Sequence, residues 1–257
     1  MRQGFVLPDL RAGLVAVALR ADNTHPLEWT ALRFVHFSSQ ILPGWLAWLS
    51  TAVLLVVLLL AAWRAPWRAL REHPARMHLV AGGAVACLLL WLLNIHLVEG
   101  LVVHFLGITA LTLMVGWSFS VLAASAVMPG LFLLQGLDWS VYPVSVCLTV
   151  LLPATVTSVL VQALYRPGLN HPFIYILGAG FFGGGLAIAA VAVASVALFA
   201  LLGLNEWVSA ALAGWPLFFM VMFSEGFING MCVSALAIFY PDWMKTFDDH
   251  FYLDDGP

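Results

Sequence analysis

The chain has 257 residues, of which 63% are hydrophobic and 9% charged, and its mean hydropathy is +0.99. Soluble domains carry about 25% charged residues, so a water-soluble fold is excluded and an all-α polytopic membrane bundle is expected. The formal net charge of -3 is small and spread over termini and loops, which argues against a nucleic-acid surface. Cys87, Cys147 and Cys232 lie inside apolar runs without CxxC spacing, so they read as small apolar fillers of helix interfaces.

Residues 1–34 differ from the rest. Arg2, Arg11, Arg20 and Arg33 interrupt them, and their one apolar piece, 12–19, is too short to span a bilayer. An interfacial or disordered extension is expected there. Residues 41–63 form the first secure span. Arg64, Arg68, Arg71 and Arg76 follow in one short loop, the strongest basic cluster in the chain, which the positive-inside rule assigns to the cytoplasm. Residues 79 to about 97 return as the second span.

The stretch 104–135 is too long for one span and short for two, with Gly116-Trp117 and Pro129-Gly130 as breaks, so it reads as two short or tilted helices. Residues 141–165 and 173–203 are further spans. The second of these carries a glycine cluster, Gly178, Gly180 and Gly183 to Gly185, suited to close helix packing. Residues 215–240 are the last span, and 246–257 a polar tail. The count is six or seven helices; with seven the tail is cytoplasmic, with six it is outside.

Ionisable groups inside these apolar stretches stand out, because placing a charge at mid-membrane depth costs at least ~2.5 kcal/mol. His96, Glu99 and His104 flank the end of the second span and fall near the outer face. Glu225 and Asn229 are spaced i,i+4 and share a helix face. They can hydrogen-bond a site loop from the bundle interior, or simply clamp two helices together. His73 and His78 stand beside the loop arginines and read as solvated. His250 with Asp248 and Asp249 reads as part of an exposed acidic tail. Gly183-Gly184-Gly185 lacks the Lys-Ser/Thr of a phosphate loop, and no HExxH motif or Ser/His/Asp set is present, so the chain does not itself hydrolyse ATP.

Several segments together resemble a known family. Phe223-Ser224-Glu225-Gly226-Phe227-Ile228-Asn229-Gly230-Met231, with Tyr240-Pro241-Asp242-Trp243 after it, resembles the C-terminal signature of the CbiM/NikM-type permeases of energy-coupling factor transporters. His104-Phe105-Leu106-Gly107 resembles the His-Leu-Leu-Gly opening of their third helix. The likeness spans about residues 35–245, and the tail from Phe247 to Leu253 is similar to that of a divergent bacterial branch. Residues 35–245 are then the permease domain. The resemblance implies a substrate-binding membrane subunit for uptake of a transition metal, captured at the outer face of the bacterial inner membrane. It also implies partner chains, namely cytoplasmic ATPase subunits and a coupling membrane subunit.

In such permeases the metal is held by a terminal amine, the nitrogens of a Met-His start and the histidine of the third helix. Four planar nitrogens suit Ni(II), Co(II) or Cu(II). Val35-His36-Phe37 stands immediately before the first span, where the family has Met-His, and a GTG codon initiates as Met. Val35 as initiator amine, His36 and His104 are thus the expected ligands, with His96 as a further candidate. Glu99, Glu225 and Asn229 are expected to support them through hydrogen bonds. Ser38-Ser39 and the run from Glu99 to Val103 depart from the family pattern at this site. The alternatives are a membrane accessory protein that delivers copper to a respiratory enzyme, and a haem carrier using His96 and His104.

Overall fold

The computed structural model describes residues 42–93, 104–166, 169 and 171–252, of 249–250 the backbone alone, together with the backbone of three short strands. These strands are β1 (Leu32–Arg33), β2 (Ile95–Val98) and β3 (Leu101–Val103). The helices are α1 (Gly44–Arg64), α2 (Trp67–Glu72), α3 (Pro74–Leu92), α4 (Ile108–Val115) and α5 (Trp117–Gln135). They continue with α6 (Trp139–Leu164), α7 (Pro172–Leu201), α8 (Asn205–Ala213), α9 (Trp215–Phe239) and α10 (Asp249–Tyr252). Among the described residues six of these, α1, α3, α5, α6, α7 and α9, are long and apolar enough to cross a membrane. The protein is an all-helical membrane bundle.

Each long helix is apolar around most of its circumference, as a helix between lipid and a protein core must be. On α1, Trp48 and Trp63 are 79% and 80% exposed, whereas Leu54 and Ala61 are buried. The core runs between α3, α5, α6 and α7, with Trp91, Met128, Leu131 and Val150 wholly enclosed.

Two glycines decide the path between α3 and α5. Gly107 (φ 65°) and Gly116 (φ 83°) take backbone conformations that L side chains resist, and they bracket the eight residues of α4. Residues 104–115 bring the chain from the Trp91 end of α3 back to the basic loop, where Trp67 packs edge-on against Phe119 with ring centroids 5.5 Å apart. This element is eight residues long, well short of the about 20 that a full span needs. The turn after α9 also lies at the arginine loop, where it shares a cleft with Arg76.

Three expectations need correction. The second span ends at Leu92 rather than near 97, because Ile95, Val98, Val102 and Val103 favour extended backbone and pair as β2 and β3. Pro129-Gly130 is no break: both lie inside α5, where Gly130 packs against Leu88. The tail is not simply solvated, since Phe247 and Tyr252 are buried and stack at 5.1 Å against each other beside Tyr175. Its aromatic residues find apolar cover on α7, which a reading by charge alone overlooks.

The glycine cluster lets α7 and α9 approach at backbone distance. A Cβ on Gly226 would lie 2.6 Å from the Phe181 carbonyl oxygen, and one on Gly184 would lie 3.1 Å from Asn229 Cβ. This contact aims the polar pair of α9 at the start of α4.

Candidate metal centre

The residues preceding α4 carry orphan N–H groups, as every helix start does, and water is scarce at this depth. The α9 pair satisfies them. Glu225 Oε2 accepts from the Leu106 amide at 2.8 Å and Oε1 from the Gly107 amide at 2.9 Å. Asn229 Oδ1 accepts from the Ala110 amide at 2.8 Å, and its Nδ2 donates to Glu225 Oε1 and to the Glu225 carbonyl, both at 2.8 Å. Glu225 is 1% exposed and Asn229 fully buried. Leaving one such buried group unpaired costs about 1–3 kcal/mol, so the network fixes the His104 to Gly107 segment firmly.

The carbonyl of that segment is held as well. The indole of buried Trp91 donates to Leu106 O at 2.9 Å. Sequence reasoning missed Trp91, because a tryptophan near the end of a span is ordinary interfacial furniture and carries no signature. His104, 3% exposed, sits at the head of the clamped segment with its ring centroid 6.5 Å from that of Trp91 and Nδ1 3.2 Å from the Phe105 carbonyl oxygen.

The other end of α4 is tied to the chain that follows α9. The Lys245 amide donates to Met114 O at 2.9 Å, and both the amide and the hydroxyl of Thr246 donate to Leu113 O, at 3.3 and 2.8 Å. Tyr175 OH then meets the Thr246 hydroxyl at 2.6 Å. One helix and its extension therefore grip α4 from both ends.

Not every expected site residue falls within reach. Val35, His36 and Glu99 lie outside the described residues. His96 belongs to β2, where it pairs with Val102. β1 runs parallel to β3 with Leu32 opposite Leu101 and Arg33 opposite Val102. Among the described residues no three His, Cys, Asp or Glu side chains gather as a metal cluster. Glu225 is fully engaged by backbone and amide donors, so it holds the segment rather than offering itself as a ligand.

His104 is thus a buried imidazole at the head of a segment braced by a carboxylate, an amide and an indole. A family model, CbiM, the cobalt uptake substrate-specific transmembrane region, matches residues 36–243. The chain belongs to the CbiM family. No curated protein and no solved structure matches it. As a CbiM-type protein it is a substrate-binding membrane component of cobalt- or nickel-type uptake, a transport permease rather than an enzyme. Members of this family generally work with energy-coupling factor partner subunits. The match lends copper no support.

Proposed function

We propose that this CbiM-type permease captures a cobalt or nickel ion at the end of the bundle opposite the arginine loop, the outer face of a bacterial inner membrane. His104 supplies one imidazole, and Val35, read as the initiator, supplies the amine and His36 the backbone and ring nitrogens. His96 and Glu99 stand at the same end of the sequence stretch as a further donor and a charge partner. In the His104 tautomer with the proton on Nδ1, beside the Phe105 carbonyl, the metal-binding lone pair lies on Nε2.

The brace on the His104 segment is the observation that carries this reading. A divalent ion gives up tightly bound water on entering the protein, and donors already fixed in place spare it the ordering cost. One further observation supports it: the family match begins at His36, the residue that a start at Val35 makes second. Residues 1–34 are then an upstream over-extension of the reading frame, and 35–245 the permease domain.

Energy comes from cytoplasmic ATPase subunits through a coupling membrane subunit. The bundle, with α4 gripped at both ends by α9 and its extension, moves as one body in alternating access. The test is cellular cobalt and nickel content with the chain co-expressed with its genomic neighbours. Accumulation that needs both this chain and an adjacent ATPase gene supports uptake. Unchanged metal content, with loss of respiratory-oxidase copper on deletion, would replace it with the accessory role.

A further inference from the structure

The apolar interior is divided in two. One cluster of buried side chains fills the centre of the bundle, and a second joins Leu113 of α4, Tyr175 of α7 and Val233 of α9 to Met244, Phe247 and Tyr252 of the chain after α9. α4 belongs to both, since its Ile108, Leu111 and Val115 pack in the first cluster and its Leu113 in the second. The second cluster is complete only while residues 244–252 lie folded back on the bundle.

Hydrogen bonding follows the same division. The last carbonyls of a helix have no partner within it, and at α4 the folded-back stretch takes two of them. Met114 O accepts from the Lys245 amide at 2.9 Å, and Leu113 O from the Thr246 amide and hydroxyl at 3.3 and 2.8 Å. The Tyr175 hydroxyl, 2.6 Å from that of Thr246, ties this junction to α7. At its start α4 hangs from Glu225 and Asn229. Both sets of anchors belong to α9 and its continuation, and only about 12 Å of helix lies between them. Most of α4 is buried, and close-packed interiors transmit strain instead of absorbing it, so a shift at one end is felt at the other.

We infer that residues 244–252 are a strap whose docking is linked to the order of the His104 segment, and through it to metal capture. An ion that fixes the segment favours the docked strap at the arginine-loop end, and release of the strap loosens the donor. The metal side of this link rests on the function proposed above. Linkage is reciprocal: the factor by which the ion tightens the strap is the factor by which the docked strap tightens the ion. Lys245 and Thr246 are positioning residues, acting on His104 through Met114, Leu113 and the helix they end.

Hydrogen exchange of the 244–252 amides tests the link, in the full chain expressed from a start at Val35, in detergent, with and without cobalt(II). Cobalt should slow this exchange at least fivefold. Without metal, Glu225→Gln should speed it at least fivefold relative to the rest of the bundle. Leu54→Ala, a buried site on α1, which packs against α5 and α6, should show no such selective effect. Thr246→Val keeps the shape and removes the hydroxyl bonds; it should weaken cobalt binding about threefold to tenfold, and Thr246→Ser should restore it. Bound cobalt that leaves the strap's exchange unchanged overturns the link, as does parental cobalt affinity in Thr246→Val with its strap exchanging faster. A chain that binds no cobalt overturns the metal reading, and the Glu225→Gln arm still decides the link between the two ends of α4: selective acceleration upholds it, and exchange equal to the parent overturns it.

Discussion

The side-chain amide of Asn229 donates to Glu225 Oε1 at 2.8 Å, which locks two residues one turn apart into a single plate of hydrogen-bonding groups. The plate meets three backbone amides at the start of α4, those of Leu106, Gly107 and Ala110. Its geometry leaves each oxygen one kind of job, to accept.

Glu225→Gln tests this arrangement with almost no change of shape. One carboxylate oxygen becomes an NH₂ group that confronts a donor, either a backbone N–H or the Asn229 amide. Loss of about 2–3 kcal/mol of stability is expected, with cobalt affinity reduced at least tenfold because the His104 segment loosens. Denaturant unfolding and isothermal titration read the two effects. A variant as stable and as tightly binding as the parent would show that the brace is incidental.

Gly107→Ala and Gly116→Ala separate site from scaffold. Both positions have left-handed φ, and a Cβ would also meet Leu90 Cδ1 at 2.7 Å or Lys245 Cδ at 2.8 Å. Each change should cost about 1–2 kcal/mol in stability. Only Gly107→Ala, which lies in the clamped segment, should also weaken metal binding.

Gly226→Ala forces apart two helices whose backbones touch, because the nearest atom to the new methyl is the rigid Phe181 carbonyl oxygen at 2.6 Å. A loss of about 1–3 kcal/mol is expected, as for overpacking elsewhere. Gly82→Ala is the control: nothing lies within 4 Å of its Cβ, and better helix propensity should leave stability unchanged or slightly higher.

The docked tail should release at high pH. The hydrogen bond to Asp248 raises the Tyr165 phenol above its ordinary value of 10.0, and burial pushes Tyr252 up to about 12. A phenol whose folded value is raised lends stability that is complete below pH 10 and is lost as pH climbs through the folded value. Protease cleavage after residue 245 should therefore accelerate between pH 10 and 12. Tyr165→Phe, which lacks the bond to Asp248, should show a shallower dependence; equal cleavage across this range would contradict it.

Much of this architecture was legible in the residues, and the rest was hidden for physical reasons. The spans could be read because about 20 apolar residues have few alternatives to crossing a bilayer. The break at Gly116 could be read because glycine there interrupts an otherwise continuous run. The i,i+4 spacing put Glu225 and Asn229 on one face, but their partners lie 118 and 119 residues away in sequence, a distance no local pattern spans. Trp91 was invisible for the same reason: the acceptor of its indole N–H, Leu106 O, lies 15 residues on. The second span was read as reaching about 97 because an apolar stretch such as Ile95-His96-Leu97-Val98 satisfies a hydropathy window whether it is helix or strand.

The most direct measurement of the central claim is the metal content of protein expressed from a start at Val35, compared with the same protein carrying His104→Ala, after equilibration with cobalt or nickel. Near one ion per chain in the parent and at least a hundredfold weaker binding in the variant is the predicted result. Equal metal content in the two proteins, with both folded by thermal unfolding, would contradict it.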